Sequence, residues 1–152
     1  MACGRRESCV HSAIRTGCAD GVDRAMIEDD LTRRIISCVI RVHQDLGPGF
    51  LESVYKRALL IEFHEQGLAF DVEKEIVIRY KAQEVGRHRL DLLVQGQVIV
   101  EIKAVETLTK AHFAQIRSYL HAAALRTGLL INFAADRADF RRIIAKSRSV
   151  IR

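Results

Sequence analysis

The chain has 152 residues, 49% hydrophobic and 28% charged, values that suit one folded domain and exclude wholesale disorder. No apolar run reaches the roughly 18 residues that span a bilayer, and the first residues lack the apolar stretch of a signal peptide, so the cytoplasm is the expected location. A net charge of +5 and a pI near 9.3 suit a polyanionic partner without demanding one, because a solvated basic surface has the same composition.

Residues 1–25 mix Gly, Cys, Ser, Arg and Asp with no sustained period and read as a loose tail, leaving 26–152 as the folded domain. Met26 is an alternative start, and the domain without the tail still carries +4. Cys3, Cys9, Cys18 and Cys38 include no C-x-x-C pair, which argues against a zinc site. From Glu28 the pattern turns helical, with Leu31, Ile35, Cys38, Val39 and Val42 on one face. Glu28, Asp29 and Asp30 would load its first turn with favourable negative charge, and Gly47-Pro48-Gly49 would end it. A second helix is expected over about 51–66, with Val54, Ala58, Leu59 and Phe63 inward and Gly67 as its stop.

Alternation then predicts a strand over about 72–80, a second over 84–94 and a third over 98–104. Thr109 could cap a helix to about Arg126, with Phe113, Ile116 and Leu120 inward and Gly128 after its end. Leu129–Phe133 reads as a mid-sheet strand and Phe140–Ile144 as the last one. The order α-α-β-β-β-α-β-β describes one layered α/β or α+β domain without internal repeats.

Charge inside the apolar hairpin is the chemical signal. Asp91 lies in Arg89-Leu-Asp-Leu-Leu-Val94, and Glu101-Ile-Lys103 follows Val98-Ile-Val100. An unpaired buried carboxylate or ammonium costs several kcal/mol or more, so charges there need a reason. Alternation puts Ile99, Glu101 and Lys103 on one face. A two-residue loop at Gln95-Gly96 would set Asp91 opposite Val100. A three-residue loop over 95–97 would pair Val94 with Val98 and set Asp91 opposite Glu101. The second register is preferred, since glycine supplies the left-handed residue that such loops use. Facing carboxylates then call for a cation, and oxygen-only ligation selects Mg2+ or Mn2+. The bland alternative is a strand-end salt bridge of Lys103 with Glu101 or Asp91.

Asp91, ten residues, then Glu101-x-Lys103 resembles the PD-(D/E)XK nuclease superfamily. Gln115-x-x-x-Tyr119 resembles the QxxxY element of many of its members, and Gly49-Phe-Leu-Glu52-Ser-Val-Tyr55 resembles the motif of the small bacterial GxxExxY family. Arg89-Leu-Asp-Leu-Leu-Val94, Glu101-Ile-Lys-Ala104 and Gly128-Leu-Leu-Ile-Asn-Phe133 look like that family's phrases, and the likeness covers about 28–145. The resemblance implies a restriction-endonuclease-like core, a mixed central sheet flanked by helices. It implies Asp91 and Glu101 as metal ligands with Glu52 as a third acidic site residue, Lys103 as the catalytic lysine, and Gln115 with Tyr119 as orienting groups. The long tail and the missing proline before Asp91 depart from the pattern. No acidic residue or lysine of the motif is missing.

The expected function is Mg2+-dependent phosphodiester hydrolysis in nucleic acid, DNA first, with Arg87, Arg89, Lys110 and Arg117 as phosphate contacts. The competing expectation is a nucleic-acid-binding or interaction module that keeps the fold without cutting. A protein with a merely structural ion-pair cluster is the third. His88 and His112 flank the proposed site, and each reads more simply as structural.

Overall fold

The apolar stripe from Leu31 to Val42 is realised in helix α1 (Asp20–Leu46), where Leu31, Ile35, Cys38, Val39 and Val42 are all buried. The structure is a computed structural model describing residues 20–146. The expected tail therefore falls mostly outside the described residues, as do Cys3, Cys9 and Cys18, while 20–25 already belong to α1. Because the helix starts eight residues earlier than the periodicity predicts, Glu28 is not a first-turn charge. It is 1% exposed and accepts the Thr127 hydroxyl at 2.8 Å, tying α1 to the central sheet. Cys38 is a buried free thiol, and burial pushes its pKa up.

Among the described residues, α1 is followed by α2 (Glu52–Glu65), β1 (Phe70–Tyr80), β2 (Gln83–Val94), β3 (Val98–Lys103), α3 (Lys110–Ala122), β4 (Thr127–Asn132) and β5 (Asp139–Ile144). The sheet order is β1-β2-β3-β4-β5, with β3 and β4 parallel and every other pair antiparallel. The fold is therefore a mixed five-stranded sheet with helices on both faces, as expected. On one face α1 and α2 pack on Leu92, Val100, Ile102, Leu129 and Ile131; on the other α3 packs on Ile99, Leu130 and Ile143. Each large side chain fully removed from water contributes about 1.5–3 kcal/mol, so the two-sided β3–β4 centre anchors the site. No helix among the described residues is long and apolar enough to cross a membrane.

Two helices differ from the sequence expectation in detail. On α2 the buried face is Tyr55, Leu59 and Phe63, while Val54 stays exposed. Helix α3 ends at Ala122, four residues before the expected Arg126, because Ala124 takes a left-handed φ of 53°. Gly128 is no stop signal: it lies within β4, where an added Cβ would come within 2.9 Å of Ile116 Cδ1. The missing side chain lets α3 lie close on the sheet.

Candidate active site

The β2–β3 hairpin adopts the three-residue loop. Val94 pairs with Val98, Leu93 with Ile99 and Leu92 with Val100, and both Gln95 and Gly96 have left-handed φ. The ladder then stops where Asp91 would meet Glu101. On its other side Asp91 is also the gap in the β1–β2 ladder, between Val72↔Leu92 and Lys74↔Leu90, opposite Glu73 at φ 51°. Strand parity reverses there: Leu92 belongs to the α1–α2 core and Leu90 to the α3 core. A simple period of two along β2 is thus corrected by a half-turn centred on Asp91. The sheet forks at this residue.

Side chains take over where the ladder ends. The Asp91 N–H donates to Glu101 Oε1 at 3.2 Å, and the Ile102 N–H donates to Asp91 Oδ2 at 2.9 Å. Each carboxylate thus holds the other's strand. Glu101 is 4% exposed, and its carboxyl is pushed up to about 8, first by burial and then by the charge of Asp91. The Asp91 amide and the nearby Lys103 ammonium oppose that rise without cancelling it. Two carboxylates gathered in a dry place favour a shared proton or a cation between them.

The Gly49–Tyr55 motif has a mechanical explanation. Tyr55 is fully buried and stacks on Phe133 at 4.3 Å. Its hydroxyl donates to the Gly47 carbonyl at 2.6 Å and accepts the Phe50 N–H at 3.2 Å, so one side chain fixes the loop entering α2. That places Glu52 at the first helical position, where its carboxylate accepts the Ala104 N–H at 3.3 Å just past β3. Asn132 braces the same strand exit, accepting the Val105 N–H at 3.1 Å and donating to its carbonyl at 2.7 Å.

Lys56 is the residue that the sequence reading missed. One turn after Glu52 on α2, its ammonium lies 3.9 Å from Asp91 Oδ1 and 3.3 Å from Glu73. The i, i+4 spacing from Glu52 was the available signal. From the opposite face α3 presents Gln115 and Tyr119. The Tyr119 phenol is raised by burial and by the charges of Glu101 and Asp91, while Gln115 pulls it the other way. Its ring meets His88 at 5.1 Å between centroids.

Asp91, Glu101, Lys103, Gln115 and Tyr119 are therefore gathered at one place, with Glu52 beside the strand exit. Among the described residues, no group of three His, Cys, Asp or Glu side chains stands ready to hold a metal ion. Asp91 and Glu101 nonetheless offer the oxygen donors that a hard divalent cation takes, and their mutual repulsion is what such a charge would relieve. Of the expected phosphate contacts, Lys110 and Arg117 are exposed on α3, and Arg89 is exposed with Glu73 at 3.9 Å. Arg87 is committed within the protein, bonded to Glu84 at 2.5 Å and Glu75 at 2.6 Å.

A family model described as the PD-(D/E)XK nuclease superfamily matches residues 29–143. No curated protein matches the chain. Among solved structures, the crystal structure of SSO0001 is similar with a TM-score of 0.51 at 19% identity, over 81% of this chain and 61% of that one. At this identity the likeness is one of fold, and the chain spans about three-fifths of that structure's length.

Proposed function

Because the chain belongs to the PD-(D/E)XK nuclease superfamily, we propose that it is a Mg2+- or Mn2+-dependent nuclease of the GxxExxY type, hydrolysing phosphodiester bonds in DNA. The observation that carries this reading is the carboxylate pair at the fork, Asp91 and Glu101, with Lys103 one side chain further along β3. Asp91 and Glu101 would hold the cation, with Glu52 within the same strand exit. Bound there, the ion supplies a Lewis-acid centre for a phosphate oxygen and for the attacking water. Lys103 contributes a positive charge that offsets the negative charge developing on the phosphate. Gln115 and Tyr119 orient groups from the α3 side, and the apolar cores on both faces hold this geometry still.

One observation favours the alternative of a non-cleaving nucleic-acid-binding module. Asp91 is shared between the Ile102 amide and Lys56, Glu52 is bonded to the Ala104 amide, and among the described residues no third carboxylate joins the pair. Single- and double-stranded DNA and RNA, incubated with wild type and Glu101→Ala in Mg2+, Mn2+ or EDTA, separate the two. Metal-dependent cleavage lost in Glu101→Ala supports the nuclease. Equal nucleic-acid binding by both proteins with no cleavage of any substrate selects the module.

A further inference from the structure

The β1–β2 hairpin is longer than the sheet needs. Its pairing with β3 covers only Leu92 to Val94, whereas β1 and β2 stay paired out to Tyr80↔Gln83. β3 is antiparallel to β2, so the extra length runs in the direction in which β3 reaches Glu101 and Lys103. Eight residues separate Asp91 from Gln83, roughly 25 Å of strand at about 3.3 Å per residue. The base of this arm is anchored: Ile76 and Leu90 pack in the α3 core, and His88 lies against Tyr119. The far end has no such support.

The chemistry of the far end is specific. Tyr80 is 64% exposed, and the Lys81 ammonium lies 5.5 Å from its ring centroid. Val85 is the extra residue of a bulge between Ile78↔Gly86 and Arg79↔Glu84, and it is 61% exposed. The turn itself is Lys81-Ala82, with φ of 46° and 64°. Two-residue turns of this kind are made without strain by Asn-Gly or Gly-Gly, yet here a lysine holds the apex. Charge is also arranged. Arg87 clamps both Glu75 and Glu84, and Arg79 faces Glu84 across the ladder and donates to the Ala82 carbonyl at 3.4 Å, so Arg79, Lys81 and Arg87 against Glu75 and Glu84 leave the outer arm one positive charge in excess.

We infer that the β1–β2 arm is a nucleic-acid-binding arm, with Arg79 and Lys81 contacting the phosphodiester backbone and Tyr80 packing on a sugar or base. The inference rests on the nuclease reading of the fork and adds to it a second contact point on the same substrate. At about 3.4 Å per base pair, roughly 25 Å sets the tip about seven base pairs from the carboxylates. The arm thereby supplies binding length that a domain of this size otherwise lacks. The bulge at Val85 gives the outer arm its own twist.

The test compares wild type with Arg79→Ala/Tyr80→Ala/Lys81→Ala and, separately, Lys81→Glu. Affinity for 30-base-pair DNA and RNA duplexes is measured in EDTA across a salt series, and cleavage in Mg2+ at saturating substrate. The triple variant is expected to lose roughly tenfold or more in affinity and to flatten the log–log salt slope by about 2, with an unchanged melting temperature and kcat. The duplex that shows the larger loss identifies the sugar that the arm engages. Wild-type affinity in both variants overturns the arm while leaving the nuclease reading intact. A wild type that binds neither duplex also overturns the arm, the nuclease reading being decided separately by cleavage, and a variant that loses kcat without affinity removes the arm's binding role.

Discussion

At the scale of single residues, Glu101 is the most informative side chain. Burial and the charge of Asp91 push its carboxyl up to about 8 in the fold, against about 4.3 in an unfolded chain. Between those values the folded state keeps a proton that the unfolded state has released, so metal-free stability falls as pH rises through this window and levels off above about 8. Glu101→Gln lacks that titration. Melting temperatures in EDTA from pH 5 to 8.5 are expected to match near pH 5 and to favour the variant by several degrees at pH 8.5. Parallel curves would falsify the buried-carboxyl assignment. Lys103 belongs to this scale too. If its ammonium acts on the transition state, Lys103→Ala should slow cleavage by about 100- to 1,000-fold, an effect of roughly 3–4 kcal/mol, while duplex affinity changes little. Single-turnover rates and equilibrium binding measured on the same substrate check both halves. Asp91, Glu101 and Lys103 were legible in the sequence because charge interrupts an apolar run. Lys56 was not, because a lysine on an amphipathic helix is the commonest of surface residues until a carboxylate is found beside it.

At the scale of elements, the register of the β2–β3 hairpin was legible from its loop, since a glycine in Gln95-Gly96-Gln97 suits a three-residue turn. The half-turn at Asp91 was not. It arises where Glu73, neither glycine nor asparagine, takes a left-handed φ, and composition carries no mark of that. The early end of α3 at Ala122, ahead of the left-handed Ala124, escaped for the same reason. Helix α2 shows how a motif encodes a position: the tyrosine of the Gly49–Tyr55 phrase is three residues after Glu52, and its hydroxyl fastens the loop that launches the helix. Tyr55→Phe keeps the stack on Phe133 and removes only that fastening. It is expected to cost about 1–2 kcal/mol in urea unfolding. It is also expected to lower cleavage more than stability alone explains, because Glu52 loses its fixed starting point. A variant with wild-type activity at a temperature where it is fully folded would separate Glu52 placement from the tyrosine.

At the scale of the whole molecule, the fold class and the order of elements along the chain followed from patterning, since both the two-faced β3–β4 centre and the helices that cover it read as apolar runs of the right period. The site, in contrast, is a property of a defect in that pattern. Where the sheet forks, two main-chain amides, those of Asp91 and Ile102, are held by the very carboxylates that would take a cation. These amides would therefore be built-in spectators of a cation at the pair. A cation drawing on Glu101 Oε1 and Asp91 Oδ2 must compete with them for the same lone pairs. In a Mg2+ titration followed by nitrogen–proton correlation spectra, the Asp91 and Ile102 signals are expected to move first and farthest, and their hydrogen exchange to quicken even as the protein as a whole becomes more resistant to unfolding. Unperturbed signals at both amides under saturating Mg2+ would place the ion elsewhere. If the ion binds as proposed, the backbone of this sheet carries its own gauge of whether the site is loaded.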